Sequence, residues 1–292
     1  MAAPAEPAKK RASSLTLRII SAAVLIPIVV LAVYAGGLAW NLLVALFGAQ
    51  MILEWCRISA RRPGPEQIRT IRDPLRGIEE DVATSFVIIG LVLFGLHGAG
   101  WINWWIALGV VLVCTGLFTA TRNRPATVWF VLGVAYVAVP CTAIMWLRAD
   151  PAVGLHQILW IVALVIAADT GAYAAGRSIG GPKLAPRISP NKTWAGLGGA
   201  VVSAAIVGAI TASVLGRPSI VPLTAVSAGL AVVEQAGDLA ESAFKRHFGV
   251  KDASNIIPGH GGALDRVDGL IAVAAAVAGI NWWIGSSVLT WL

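Results

Sequence analysis

The chain has 292 residues, of which 57% are apolar and only 13% are charged, and its mean hydropathy is +0.78. A soluble domain carries about 25% charged residues, so this composition excludes an ordinary soluble protein and indicates an integral membrane protein. The three cysteines lie in apolar runs without metal-ligand spacing, which favours buried, inert thiols over a disulfide framework.

The long apolar segments are continuous and do not alternate with polar residues, so they predict an all-α fold, a polytopic bundle of membrane-spanning helices. Residues 1–17 are polar and basic and are expected to form a cytoplasmic tail. About nine spans follow, predicted at 18–35, 39–55, 82–98, 101–120, 126–147, 156–175, 195–215, 219–238 and 268–290. We expect 18–155 to form an N-terminal group of transmembrane helices, and 156–292 a C-terminal transmembrane region that carries the candidate catalytic residues.

The basic residues orient this scheme in the membrane. All of the 22 lysines and arginines except Arg148 and Arg217 fall on the side of the N-terminal tail. This asymmetry follows the positive-inside rule and predicts a cytoplasmic N-terminus and an outer C-terminus. The expected location is the inner (cytoplasmic) membrane of a bacterium. Topology also accounts for the net charge of +7, so no nucleic acid partner is expected.

The loop at 176–196 is the first of two polar loops rich in Gly and Pro. Ser189-Pro190 is typical of an N-cap followed by proline at the first helical position, and it predicts that the seventh span begins there. Free backbone amides at that helix end, together with Lys183 and Lys192, would form an anion site. The alternative is a capped helix flanked by lysines that serve topology alone.

Asp169 lies well inside the sixth predicted span. A carboxylate at a helix centre costs about 2.5–3.5 kcal/mol on insertion scales, and such residues usually face a wet cavity, a cation or a partner. A structural alternative is pairing with a buried arginine or capping of a helix broken at Gly171.

The second polar loop, which joins the last two spans, holds the densest charge in the chain. The run Pro-Gly-His-Gly-Gly at 258–262 predicts a tight turn in which the backbone can approach a ligand closely. Before the turn, Asp238 and Lys245 share one face of a helix with Glu241 or Ser242.

Two further carboxylates follow the turn. Asp265 and Asp268, three residues apart, share a face at the start of the ninth span. Carboxylates that converge from two helix ends suit Mg²⁺, which proteins typically hold with one or two carboxylates plus substrate phosphates. The alternatives are ordinary acidic charge at a helix start for these aspartates and a solvated face for Glu241. Together, the carboxylates and the two basic loops at the cytoplasmic membrane surface indicate phosphoryl or nucleotidyl transfer to a lipid.

Three stretches between residues 169 and 268 also carry a resemblance to a known family. They are Asp169-Thr-Gly-Ala-Tyr173, Ser189-Pro-Asn-Lys192-Thr-Trp194 and the run from Gly237 to Asp268, which includes Ser242-Ala-Phe-Lys245-Arg246, Lys251-Asp252 and Pro258-Gly-His260-Gly261-Gly262-Ala-Leu-Asp265-Arg266-Val-Asp268. These motifs resemble the signature of the phosphatidate cytidylyltransferases, also called CDP-diacylglycerol synthases. The resemblance covers about a third of the chain, and its fixed gaps make it specific.

The resemblance implies CTP and phosphatidate as substrates, and CDP-diacylglycerol and pyrophosphate as products. It also implies Mg²⁺ with a monovalent cation such as K⁺ beside it, and a homodimer embedded in membrane lipids. By position in the motifs, the catalytic residues would be Asp238, Lys245, Asp265, Arg266 and Asp268. The substrate-binding residues would be Lys183, Ser189, Asn191, Lys192, Ser242, Arg246, Lys251, His260, Gly261 and Gly262. The metal ligands would be Asp238, Asp265 and Asp268.

Two other classes of protein remain as alternatives. A related lipid or polyprenol kinase would use ATP in place of CTP. An ion-coupled transporter would use Asp169, Glu234 and Asp238 as a relay, although it would place its charges at mid-membrane rather than at one face. A CDP-alcohol phosphotransferase is disfavoured because its DG-x2-AR run is absent from the sequence.

Overall fold

The chain folds into a bundle of long helices. The structure is a computed structural model that describes residues 14–59, 124–254, 256–257 and 261–290. In chain order its helices are α1 (Ser14–Ala35), α2 (Gly37–Ser59), α3 (Arg124–Ala149), α4 (Gly154–Ser178), α5 (Trp194–Val214), α6 (Val221–His247) and α7 (Leu264–Ile284), and a 3-10 helix follows at Val288–Thr290. Two antiparallel strands, β1 (Lys183–Ala185) and β2 (Ser189–Thr193), lie between α4 and α5.

Every described α-helix except α6 is long and apolar enough to cross a membrane. The prediction of a mostly helical integral membrane protein is therefore confirmed. The predicted spans at 82–98 and 101–120 lie outside the described residues, so the count of about nine stays a prediction.

Helix α6 begins at Val221, within the predicted span 219–238, and continues beyond that span to His247. Its 27 residues correspond to about 40 Å at 1.5 Å per residue, whereas the hydrocarbon core of a bilayer is about 30 Å thick. The polar last turns remain helical in part because Glu241 and Lys245 pair one turn apart, with Oε2 and Nζ 2.6 Å apart. If α6 crosses the bilayer as predicted, a helix of this length would extend its charged end beyond the hydrocarbon.

The prediction that the seventh span begins at Ser189-Pro190 is wrong. Residues 189–193 form strand β2, which pairs with β1 in the register Lys183–Thr193 and Ala185–Ser189. Proline lacks an N–H donor, so a Ser-Pro pair suits an edge strand as well as a helix start. Helix α5 begins at Trp194, and its N-cap is Thr193, whose side chain accepts a hydrogen bond of 3.0 Å from the amide of Gly196. Asn191, Lys192 and Thr193 therefore precede the helix and do not form its first turn.

Helix α5 shows how the bundle packs. One face is buried and consists of small residues four apart, namely Gly196, Ala200, Ala204, Gly208 and Ala212. The opposite face exposes larger apolar side chains, namely Val202, Ile206, Ile210 and Val214. Small residues let neighbouring helices approach closely within a membrane, while the exposed apolar face suits lipid.

Helices α6 and α7 approach closely at Gly237. A Cβ atom added there would lie 2.5 Å from the Cβ of Ala272 and 3.1 Å from the backbone oxygen of Asp268. Any side chain at this position would push the two helices apart. The glycine therefore brings its neighbour Asp238 on α6 towards Asp268 on α7.

The two ends of α6 give a test of topology. Because the helix is longer than the hydrocarbon core, we expect a reporter fused after Arg217 to lie outside the cytoplasm and one fused after Lys251 to lie inside it. Paired alkaline phosphatase and fluorescent protein fusions at each position would measure this, with the two reporters acting as mutual controls. Both fusions reporting the same side would show that α6 does not cross the membrane.

Candidate active site

Lys192 connects the strand pair to helix α6. Its Nζ atom lies 2.7 Å from Oδ2 of Asp238 and 2.7 Å from Oε1 of Gln235. The Asp238 side chain keeps 29% of its surface exposed, and its other carboxylate oxygen accepts a 3.2 Å hydrogen bond from Ser242. A basic residue of the first polar loop therefore meets an acid of α6 at an accessible position.

Further acidic side chains surround this pair. The carboxyl group of Asp268 on α7 lies within electrostatic range of Asp238. The carboxyl group of Asp169, exposed on α4, lies against that of Glu234 and within electrostatic range of Asp238 and Lys192. Three helices and one strand thus contribute charges to one region, in which Asp238 and Asp268 lie near each other and Lys192 pairs with Asp238.

Asp265 has a different environment from the other two predicted metal ligands. Its Oδ2 atom accepts hydrogen bonds from the amides of Ala253 at 2.9 Å and Gly262 at 3.0 Å. Its Oδ1 atom contacts Nζ of Lys245 at 2.6 Å. Both oxygens therefore have partners within the protein. The carboxylate connects Ala253 and Gly262, which lie in the segment between α6 and α7, to Lys245 on α6.

Lys245 is buried between two acids. Its Nζ atom also lies 2.6 Å from Oε2 of Glu241, whose side chain is fully buried. Both residues lie beyond the predicted span 219–238. Burial alone would lower the pKa of Lys245, but the hydrogen bonds to Asp265 and Glu241 outweigh it and hold that pKa above its usual value. Burial raises the pKa of Glu241 to about 8, against the opposing effect of Lys245.

The other predicted substrate-binding residues divide by exposure. Arg246 is exposed, and its guanidinium donates to the backbone oxygens of Ile188 and Val250 at 3.4 and 3.2 Å. This links the end of α6 to the turn between the strands. The exposed predicted residues are Lys183, Asn191, Arg246, Lys251 and Arg266, while Ser189, Ser242 and Gly261 are partly buried and Gly262 is buried. His260 lies outside the described residues.

Of the predicted tight turn at 258–262, the structure describes Gly261 and Gly262. The amides and carbonyls of Ile257 and Gly261 bond reciprocally, at 3.0 and 3.2 Å. Gly261 has a φ of +91°, a region that side chains with a Cβ rarely adopt. The chain can therefore reverse direction immediately before α7.

One buried acid in this region was not singled out from the sequence. Glu54 in α2 accepts hydrogen bonds from the amides of Ala263 and Leu264 at the start of α7. The available signal was the same one that drew attention to Asp169, a carboxylate within a predicted span. Its partners lie about two hundred residues away, so they could not be predicted from local sequence patterns.

The region thus combines one accessible carboxylate paired with lysine, a neighbouring aspartate and several exposed cations. Within the described ranges, no three His, Cys, Asp or Glu residues are grouped closely enough to hold a metal ion by themselves. Such a site suits an ion that shares its coordination with a phosphate ligand, which is typical of Mg²⁺.

Comparisons with known proteins extend this description. A sequence profile described as the cytidylyltransferase family matches residues 16–282. A protein of Brucella suis biovar 1 named phosphatidate cytidylyltransferase is 36% identical over 263 residues, which cover 90% of this chain and 92% of that protein. Proteins of the same name from Bacillus subtilis and Haemophilus influenzae are 37% and 44% identical over 168 and 128 residues, covering 57% and 42% of this chain and 62% and 44% of those proteins.

The helical fold, the cluster of charges and these matches define a membrane-embedded nucleotidyltransferase. The chain belongs to the cytidylyltransferase family.

The contact between Lys192 and Asp238 gives a prediction for anion binding. We expect Lys192→Ala to lower turnover efficiency by roughly tenfold or more, because charge-assisted hydrogen bonds are worth about 1.5–3 kcal/mol. The measurement is the rate of cytidylyl transfer as a function of CTP concentration. The matched control is Arg177→Ala, which also removes one cation. Arg177 contacts Tyr173 one turn earlier on α4 and not Asp238. Wild-type kinetics for Lys192→Ala would leave Lys192 with a topological role alone.

Asp265 and Asp238 can be distinguished by their response to Mg²⁺. If Asp265 holds the segment between α6 and α7 in place, Asp265→Asn should lower activity and thermal stability, and the Mg²⁺ concentration for half-maximal rate should rise less than in Asp238→Asn. The stability loss should stay below the roughly 3–5 kcal/mol typical of a broken buried ion pair, because Lys245 retains Glu241. Asp238→Asn should raise the Mg²⁺ requirement further. A raised Mg²⁺ requirement with unchanged stability for Asp265→Asn would support its assignment as a metal ligand.

Proposed function

We propose that this chain transfers the cytidylyl group of CTP to phosphatidate, giving CDP-diacylglycerol and pyrophosphate. The observation that carries the proposal is the contact between Lys192 and Asp238 beside Asp268, which joins a basic loop to an acidic region at the polar end of α6. Membership of the cytidylyltransferase family and the names of the relatives support the same reaction. Both substrates present phosphate groups, which this combination of charges suits.

The reaction requires positioning and charge neutralisation more than proton abstraction. An oxygen of the phosphatidate phosphate attacks the α-phosphorus of CTP, and the bond to the departing pyrophosphate breaks. A phosphate monoester is already anionic at neutral pH, so a strong general base is not needed. Lys192 and the exposed Arg266 would neutralise charge on the triphosphate, while Lys251 and Arg246 offer further cations at the membrane surface.

The residues present fit a magnesium ion. Asp238 has an accessible carboxylate and Asp268 lies within its electrostatic range, a donor set of hard oxygens that Mg²⁺ prefers. These two residues would hold the ion, with substrate phosphates completing its coordination. When bound, it would neutralise charge on the phosphates during transfer. Asp265 as a third ligand, and a monovalent cation such as K⁺ nearby, stay predictions.

The membrane setting is part of the proposal. We place the protein in the bacterial inner membrane, with the end of α6 and the strand pair facing the cytoplasm, where CTP is available. The 20-to-2 asymmetry of basic residues in the nine-span scheme supports this orientation through the positive-inside rule. A homodimer remains an expectation from the family resemblance.

The proposed reaction is tested by supplying purified protein in mixed micelles with phosphatidate, Mg²⁺ and either CTP or ATP labelled in the base and in the γ-phosphate. We expect base-labelled CDP-diacylglycerol from CTP, release of labelled pyrophosphate, and no lipid product from ATP. Replacing Mg²⁺ with excess EDTA should abolish the reaction. Transfer of the γ-phosphate of ATP to a lipid would instead identify a lipid kinase.

A further inference from the structure

Glu54 is a buried acid in the N-terminal part of the chain that contacts the polar segment between α6 and α7. Its side chain lies near the end of α2 and is 0% exposed. Its Oε1 atom accepts hydrogen bonds from the hydroxyl of Ser254 at 2.6 Å and the amide of Ala263 at 3.0 Å, and Oε2 accepts from the amide of Leu264 at 2.8 Å. Gln50, one turn earlier on α2, donates a fourth hydrogen bond of 3.0 Å.

These contacts complete the start of helix α7. The first amides of a helix have no partner within the helix and are normally met by a side chain at the N-cap. The N-cap residue of α7 is Ala263, which makes no side-chain cap hydrogen bond. Glu54 supplies the missing acceptors from another helix, and its negative charge suits the positive end of the α7 dipole.

The fit around Glu54 is tight. A Cβ atom added to Gly262 would lie 2.7 Å from Oε2 of Glu54 and 3.0 Å from the Cβ of Ala253. The glycine therefore lets the backbone pass close to the buried carboxylate. Glu54 and Asp265 contact the same segment through different donors, since Asp265 takes the amides of Ala253 and Gly262.

Helix α2 is itself fixed to α6 beside this point. The ring of Trp55 stacks on that of Phe244 with centroids 3.6 Å apart and planes inclined by 9°. The indole N–H of Trp55 donates to the backbone oxygen of Trp129 on α3 at 2.8 Å. Two consecutive residues of α2 thus contact α6 next to Lys245 and α7 next to Asp265.

We propose that Glu54 is a positioning residue for nucleotidyl transfer, acting through the N-terminus of α7. By holding the amides of Ala263 and Leu264, it sets the place and direction of the first turns of α7, which carry Asp265 and Asp268. It contacts neither of these side chains directly. The inference rests on the proposed function for its kinetic part and on the structure alone for its effect on the segment.

The test compares Glu54→Gln with wild-type protein. The glutamine side chain is similar in size, but it has one acceptor oxygen where glutamate has two. Its NH₂ group is a hydrogen-bond donor and would face the N–H and O–H donors that Glu54 accepts from. We expect kcat for CTP turnover to fall roughly tenfold to a hundredfold, the scale of small misplacements of catalytic groups, and the Mg²⁺ concentration for half-maximal rate to rise. Rates are taken per mole of monodisperse protein, so a lower yield does not count as a kinetic effect.

A second readout does not depend on activity. Lys251 is exposed in the segment, so trypsin cleavage there reports release of the segment from α2. Cleavage of Glu54→Gln should be roughly tenfold faster than that of wild type, as expected for local opening. The matched control is Gln157→Leu, which removes a buried 2.7 Å hydrogen bond from Asn281 of α7 far along the same helix. It should leave turnover, Mg²⁺ dependence and cleavage at Lys251 unchanged.

The outcomes are distinguishable. Wild-type kcat, Mg²⁺ dependence and cleavage for folded Glu54→Gln would overturn the inference, even if less protein were recovered. If Glu54→Gln does not fold, Ser254→Ala removes one donor of the same carboxylate and should shift both readouts in the same direction by a few-fold, and unchanged readouts would again overturn it. Wild-type protein without CTP turnover would contradict the proposed function, while the cleavage comparison would still test the contact.

Discussion

Two carboxylates accept the hydrogen bonds of four backbone amides in and beside the segment between α6 and α7, namely those of Ala253, Gly262, Ala263 and Leu264. A segment rich in glycine and proline has few side chains to pack and loses much conformational freedom on folding. Its buried amides must nevertheless find acceptors. Glu54 and Asp265 provide them, and each ionised carboxylate can accept several donors at once. The direction of α7, and hence the position of Asp268, follows from these contacts.

The buried charges nearby form a connected group. Lys245 lies between Asp265 and Glu241, with its Nζ atom 2.6 Å from a carboxyl oxygen of each. Removing ions from water is costly, so a buried group of this kind is weak evidence for stability. It does restrict geometry, since moving α6 relative to α7 would separate Lys245 from Asp265. The Oε1 atom of Glu241 makes no hydrogen bond to the residues that the structure describes, which is consistent with a raised pKa for this carboxyl group.

The sequence predicted the features that depend on residue type and local spacing. Continuous apolar runs gave the positions of α1, α2, α3, α4 and α5 to within a few residues, and the polar loops indicated where charges would gather. Ser189-Pro190 misled because the same dipeptide suits a helix start and an edge strand, and only pairing with Lys183–Ala185 decides between them. The density of lysines could not reveal which of them is buried, so Lys245 is predicted as a catalytic residue although acids enclose it. The role of Glu54 could not be predicted, because its hydrogen-bond partners in residues 254–264 are brought to it only by the tertiary fold.

The pairing of β1 with β2 determines where Lys192 lies. It therefore affects which insertions, deletions and substitutions this region can accept. Along a strand, a shift of one residue turns every side chain to the opposite face. Lys183 pairs with Thr193 and Ala185 with Ser189, and in the irregular stretch of β2 between these pairs Lys192 reaches Asp238 and Gln235. An inserted or deleted residue in the turn at 186–188 would disturb the pairing on both sides of Lys192. The length of this turn is therefore constrained more strictly than its composition, and substitutions should be accepted where insertions are not.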